Sequence, residues 1–332
     1  MGDDLTRFLK LTILASVIAA LPFSTPVYAN DAATIAKFDA AWTKWADKVG
    51  VRNGAFVVTK NGKIVHRAGR NANTTQPFEM HSLSKAVTGV CVAGLVGAGQ
   101  VKYSDTVGQI LGESVTFKDK RVSQVTVAQL LTHTSGLKPD STQRDMGKWL
   151  GSTKPRHDAV IATVARRKKQ QGVPGRFFYS NENYAVLGKI IEVASGRSYL
   201  QTCGKYVPGG KASSLTGGFA PWGGWKMSVE SYAAFHSKNF GATSKIGRAP
   251  SRHANAGLGG GAHYGLGTFW RPSGGRFNFW HFGKHCFRGR LMAGSYAVSW
   301  MGKWGVVAAY DVCTSDRQNG ALDEAMVAVV YK

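Results

Sequence analysis

The stretch Ser82-Leu83-Ser84-Lys85-Ala86-Val87-Thr88-Gly89-Val90-Cys91-Val92-Ala93-Gly94-Leu95-Val96-Gly97-Ala98 decides how the rest of the chain is read. After Lys85 it is almost wholly apolar or small. A helix that is apolar on all sides belongs in the middle of a domain. Its start nonetheless carries Ser82 and Lys85, and residues three apart are neighbours on one helix face. Two readings stand for that pair alone. Ser82 is a helix-capping serine with an incidental lysine, or it is a nucleophile. In the second case the helix N-terminus steadies developing negative charge, and the lysine one turn on helps remove the hydroxyl proton.

Outward from this helix, the two ends of the chain read alike. Ile35, Phe38, Trp42, Trp45 and Val49 recur at steps of three and four, which predicts an amphipathic helix over 31–49. The runs Ala55–Thr59 and Ile64–Ala68 flank Asn61-Gly62, a strong hairpin signal. Near the other end, Ser295–Met301 and Trp304–Val312 read as strands joined at Gly302-Lys303, and a last helix spans 321–331. Between the ends, helices are expected at Val125–Leu131, His157–Lys169 and Asn183–Ala194. Strands at both ends with helices between them predict an α/β (α+β) architecture. Its sheet is built from both termini, with a helical region inserted in the middle.

The 332 residues carry 42 Lys+Arg against 19 Asp+Glu, a net charge of +23. Such an excess invites a nucleic-acid reading. However, residues 1–199 hold 27 basic and 14 acidic side chains, and residues 200–332 hold 15 and 5. The excess is spread along the chain, and its one dense run is Arg166-Arg167-Lys168-Lys169. No nucleic-acid partner is expected. The charge points instead to anionic surroundings, such as an acidic cell-envelope polymer. With 43% hydrophobic residues the chain is not a disordered one.

Arg7 and Lys10 precede the apolar run Leu11–Leu21, then Pro22, Pro26 and Val27-Tyr28-Ala29. That is the pattern of a signal peptide over residues 1–29, cleaved after Ala29. The expectation is an exported protein, periplasmic or secreted, with no transmembrane anchor in the mature chain. Export permits disulfides. Cys91, in its apolar run, reads as a buried free thiol, and for Cys286 and Cys313, which flank a hairpin, a disulfide and two free thiols both stay open.

Two further elements carry chemistry. Pro174-Gly175-Arg176-Phe177-Phe178-Tyr179-Ser180-Asn181 is a turn and an aromatic run that deliver a tyrosine and an asparagine just before a helix. The tyrosine is either a core residue or a base, and the asparagine either a helix cap or an amide for substrate. The strand-like Phe277–Trp280 then leads into His281-Phe282-Gly283. A glycine there lets a substrate backbone lie along the strand. His281 and His285 lack acidic partners for a metal site, so no metal and no cofactor are expected. Ser-x-x-Lys also recurs at Ser135–Lys138, but in a turn-rich stretch with no buried helix after it, where turn chemistry is expected.

Taken in order, these elements resemble the serine β-lactamase / penicillin-recognising family, in the branch of class C β-lactamases, D-alanyl-D-alanine carboxypeptidases and esterases. Leu130-Leu131-Thr132-His133-Thr134-Ser135-Gly136-Leu137, Tyr179-Ser180-Asn181 through Leu187-Gly188, and Tyr264-Gly265-Leu266-Gly267 are similar to that branch's segments. The resemblance implies a β-lactamase/transpeptidase-like fold over residues 30–332. Its α/β part would be 30–76 plus 262–332, and its helical part 77–261. It implies Ser82 as acylated nucleophile, Lys85 as its proton partner and Tyr179 as the base that later activates water. Asn181, His281 and Gly283 would bind substrate, and the backbone N–H groups of Ser82 and Lys284 would form the oxyanion hole. The expected activity is that of an exported serine hydrolase acting on a D-alanyl peptide, a β-lactam or a small ester. A catalytically weak envelope-polymer-binding protein on the same fold is the alternative. Two departures matter: His281 stands where β-lactamases usually carry lysine, and His81 precedes the nucleophile where a small residue is more usual.

Overall fold

A computed structural model describes residues 31–331. The expected leader lies outside the described residues. The main sheet has eight strands in the order β2-β1-β11-β10-β9-β8-β7-β6, all neighbours antiparallel. The strands are β1 (Gly54–Lys60), β2 (Lys63–Arg70), β6 (Ala256–Gly259), β7 (Ala262–Gly265), β8 (Thr268–Ser273), β9 (Arg276–Phe287), β10 (Leu291–Trp300) and β11 (Trp304–Tyr310). β3 (Phe78–Glu79), β4 (Lys211–Ala212) and β5 (Trp225–Met227) form a separate small sheet. The first and last strands in the chain, β1 and β11, pair near one edge of the large sheet, as its second and third strands, where Gly54 lies opposite Tyr310 and Lys60 opposite Trp304. β6 extends the sheet six residues ahead of the expected boundary at 262.

The helices are α1 (Asp31–Val49), α2 (Ser84–Gly97), α3 (Val107–Leu111), α4 (Val127–Leu131), α5 (Thr142–Asp145), α6 (His157–Arg166), α7 (Asn181–Ser195), α8 (Tyr199–Cys203), α9 (Val229–Phe240), α10 (Lys245–Arg248) and α11 (Asp316–Tyr331). None among the described residues is long and apolar enough to cross a membrane.

Each face of the sheet buries its own core. On one side α1 and α11 cover Phe56, Tyr296, Trp300 and Tyr310, with Phe38, Trp42 and Trp45 supplied by α1. Trp42 stacks on Phe56 at 5.3 Å, and Trp45 meets Tyr310 edge-on at 4.9 Å. On the other side lies the larger core, centred on α2 and α7. The α2 helix is as buried as its composition predicts, and glycine explains how closely it is gripped. A Cβ on Gly89 would lie 2.2 Å from the Leu266 carbonyl oxygen, and one on Gly267 would lie 2.2 Å from the Lys85 carbonyl. Tyr264–Gly267 thus packs backbone to backbone against the first turns of α2. Leu266 and Gly267 both have positive φ, the second at +78°.

Two local expectations are corrected. Ser82 sits in a 3₁₀ turn, His81–Leu83, and Leu83 is the residue that flanks the start of α2, with no side-chain cap. The Ser82 hydroxyl is therefore not used as a helix cap. Cys91 is not a free thiol: it is bonded to Cys203, tying α2 to α8, and Cys286 is bonded to Cys313. Cys91 and Cys203 are 112 residues apart. A local hydrophobic pattern carries no trace of such a partner.

Candidate active site

The site forms where the start of α2 meets β9. The turn before α2 is held from behind. His81 has φ +48°, a left-handed conformation that costs a non-glycine residue energy. Its ring is buried, with Nδ1 3.2 Å from Ser295 Oγ, and Ser295 donates to the Met80 carbonyl at 2.9 Å. Since that hydroxyl proton is committed to Met80, His81 Nδ1–H donates to Ser295. This gives a structural role to the histidine that departs from the usual small residue. Burial drives its pKa down to about 3, so it is neutral.

Gly283 sets the distance between β9 and this turn. A Cβ there would fall 2.6 Å from Ser295 Oγ, 2.8 Å from His81 Cβ and 2.8 Å from the Ser82 nitrogen. Only a glycine lets the strand lie against the Ser82 amide. β8 pairs with β9 only as far as Trp280, and β10 continues along the other edge to Phe287. From His281 onward, one edge of β9 is not paired to β8.

Lys85 is fully buried, and its Nζ lies 3.3 Å from Ser82 Oγ and 2.8 Å from the Trp222 carbonyl oxygen. The ammonium also faces the ring of Tyr179, 4.8 Å from its centroid. Burial lowers its pKa from 10.5 to about 7, and the negative charge of Asp140 restores only part of the difference. A sizeable fraction of Lys85 is therefore neutral near pH 7, with a lone pair beside a serine hydroxyl.

Tyr179 closes the opposite wall. Its hydroxyl is buried without a partner in hydrogen-bonding geometry. Burial pushes its pKa up, with the nearby Ser82 hydroxyl pulling the other way and Asp140 adding to the rise. At rest it is a neutral phenol. Asn181 opens α7 and is buried. Its amide donates to Thr142 Oγ1 at 3.0 Å, while its backbone N–H donates to Asp140 at 2.9 Å. His281 is buried, and its Nδ1 bonds to the Phe282 carbonyl, leaving Nε2 to accept from Tyr264 O–H at 3.4 Å. Its pKa falls to about 3, first through burial and then through the charge of Lys85. It carries no positive charge at neutral pH. Lys284 points to the other face of the sheet, where Nζ pairs with Asp316 at 2.8 Å. Only its backbone is available to the site.

The structure adds residues to which the sequence alone gives no role in the site. His285 shares the face of His281 and Gly283, as strand alternation requires. Its ring meets His81 edge-on at 4.9 Å. The i+4 spacing from His281 is its signal in the sequence. Among the described residues no cluster of three or more His, Cys, Asp or Glu is placed to hold a metal ion. The His133 ring packs tilted against Tyr179, centroids 4.3 Å apart, and accepts at Nδ1 from Asn183 Nδ2 at 3.0 Å and from the Ser180 N–H at 3.3 Å. It fixes the wall that presents the tyrosine. Trp222 matters through its carbonyl, which no side-chain pattern reveals.

Comparison with known proteins follows this geometry. A profile of the Beta-lactamase family matches residues 33–208. "Protein flp" of Staphylococcus aureus (strain MW2) is 26% identical over 160 residues, which are 46% of this chain and 32% of the relative. The chain thus spans about a third of the length of the curated relatives it matches. The octameric penicillin-binding protein homologue from Pyrococcus abyssi superposes with TM-score 0.70 at 19% identity, over 89% of this chain and 77% of that one. The D-stereospecific amidohydrolase from a Streptomyces species gives 0.68 at 18% identity, over 90% and 98%. At such identities the structures speak to the fold alone, which is β-lactamase/transpeptidase-like.

Proposed function

The chain belongs to the Beta-lactamase family, whose members are serine hydrolases, and from that premise we propose that it hydrolyses an amide or ester through an acyl-enzyme on Ser82. One observation carries this reading: the buried Lys85, its pKa brought to about 7, sits 3.3 Å from the Ser82 hydroxyl. Neutral Lys85 accepts the Ser82 proton as Oγ attacks the substrate carbonyl. The resulting oxyanion is held by the backbone N–H groups of Ser82 and Lys284, across the gap that Gly283 keeps open. Collapse breaks the bond to the leaving group, which takes up a proton. Tyr179, a neutral phenol beside Lys85, is suited to donate it. A water then attacks the acyl carbon, with its proton returned through Tyr179 and Lys85 and Ser82 regenerated. The resting state thus makes Lys85 the first base, with Tyr179 as proton donor and relay. Asn181 and His281 line the substrate path.

A neutral His281 cannot hold a substrate carboxylate as a fixed lysine does. This favours short esters and D-amino-acid amides, which carry no carboxylate to be held, over β-lactams and D-alanyl peptides, which do. We further propose that the protein works outside the cytoplasm, periplasmic or secreted. Two disulfides suit an oxidising compartment. The test is a competition among a D-Ala-D-Ala peptide, a cephalosporin and a p-nitrophenyl ester, read as mass added to Ser82. The expected result is an acyl adduct that forms most readily with the ester and is absent from Ser82→Ala. No adduct with any of the three, or an adduct that survives Ser82→Ala, overturns the reading.

A further inference from the structure

We propose that the surface formed by residues 118–121 and 166–176 is a docking site for a flexible, phosphate-linked polyanion. It goes beyond the hydrolase reading and does not depend on it. Six exposed cations lie on these segments: Lys118, Lys120, Arg166, Lys168, Lys169 and Arg176. None of the six has an ion-pair partner among the described residues. The carboxylates on and beneath the same segments are withdrawn. Asp119 is 7% exposed and engaged by Arg121 and the Gln170 N–H. Glu182 is fully buried and paired with Arg167.

These residues are distant in sequence but locked together. The Lys118 N–H donates to the Ala165 carbonyl at 2.9 Å, and Arg121 donates to the Gln170 carbonyl at 2.8 Å. The Gln171 N–H donates to the Lys138 carbonyl at 3.0 Å, and that of Gly175 to the Thr134 carbonyl at 2.8 Å. The cations therefore share one rigid platform. It ends beside the cleft, since Arg176 stands three residues before Tyr179, within ~10 Å of extended chain.

The chemistry of the platform selects its partner. All six side chains only donate hydrogen bonds. A phosphate polymer offers only acceptors, whereas a glycan's hydroxyls also need acceptors from the protein. Reading single-stranded nucleic acid calls for exposed aromatic rings on which bases stack. Here Phe177 and Phe178 are half-buried, and Lys138 covers the ring of Phe178 at 4.8 Å.

The experiment measures binding of inorganic polyphosphate to the protein at ~0.05 M salt, where charge contacts are weakly screened. One variant combines Lys118→Gln, Lys120→Gln, Lys168→Gln and Lys169→Gln. A control of equal charge loss combines Lys37→Gln, Lys44→Gln, Lys48→Gln and Lys63→Gln, on α1 and β2. The expected result is at least about a tenfold loss for the first and less than about threefold for the second, with parent affinity falling as salt rises. Equal losses, no saturable binding by the parent, or tighter binding of single-stranded DNA or anionic vesicles overturns the proposal. Turnover of an uncharged short ester stays unchanged in both variants. If no protein turns over the ester, the hydrolase reading falls and the binding result stands.

Discussion

The chain writes Ser-x-x-Lys twice, and the two copies have opposite fates. At Ser82–Lys85 a 3₁₀ turn runs into a buried helix, so the lysine returns to the serine at 3.3 Å and loses most of its solvent. At Ser135–Lys138 there is no helix. Ser135 donates to Asn183 and accepts from the Leu137 N–H at 3.1 Å, which is turn chemistry. Lys138 swings away over Phe178. Same residues and same spacing give a reactive pair in one place and a structural tie in the other. A motif is thus chemistry only when the backbone beneath it makes its residues neighbours and the surroundings exclude water.

The sharpest way to break this contrast is to remove each serine. Ser82→Ala is expected to lower kcat/KM for a p-nitrophenyl ester by about 10⁴-fold or more. Ser135→Ala should leave kcat/KM within a few-fold but lower stability by ~1–3 kcal/mol, because buried groups lose their partners. Chemical denaturation alongside the kinetics checks both. Comparable activity losses would erase the distinction.

Next come the lysines. Lys85→Met should lower kcat/KM by about 10²–10⁴-fold. It should also stabilise the fold, and the sign follows from the lowered pKa. The unfolded chain binds the Lys85 proton up to pH 10.5, the folded one only up to about 7. The burial penalty is therefore full below pH 7, on the order of 4–5 kcal/mol, and disappears above pH 10.5. Stranding the Trp222 carbonyl takes back ~1–3 kcal/mol. A net gain of ~1–4 kcal/mol at pH 7 should shrink and reverse by pH 10.5. In the parent, kcat/KM should fall as pH drops through about 7. Lys138→Met should change stability by no more than ~1 kcal/mol and leave the pH profile alone. A profile that stays flat through pH 7 would overturn Lys85 as the first base.

The smallest effect tests the approach of β9, which only the first serine has. Gly283→Ala would press a methyl group against the Ser82 amide and is expected to cost about 10²-fold in kcat with a smaller change in KM. Steady-state kinetics separate the two. A change confined to KM would place Gly283 in substrate binding only.

Much of this was legible beforehand, for definable reasons. The α1 helix, the β1–β2 hairpin and the apolar α2 declare themselves through period and turn residues. Ser82, Lys85, Tyr179 and Gly283 stood out through motif order. What escaped depends on long-range partners. Cys203 is invisible from Cys91, and the carbonyl of Trp222 has no side-chain signature. Helix ends also moved: α6 stops at Arg166, three residues early, because Arg167 turns extended and donates to Gln170 and to the buried Glu182. The conformation of His81 is set by Ser295, more than two hundred residues away.

The meeting of both chain ends in one sheet has a consequence in time. β1 cannot pair with β11 until almost the whole chain has been made, and closing a loop that long carries an entropic cost before any contact repays it. The nucleophile helix is finished early, but the strand that faces it and the clamp on His81 arrive in the last sixth of the chain. A growing or truncated chain therefore holds Ser82 and Lys85 without an enclosed site, and reactivity arises only when the last strands dock.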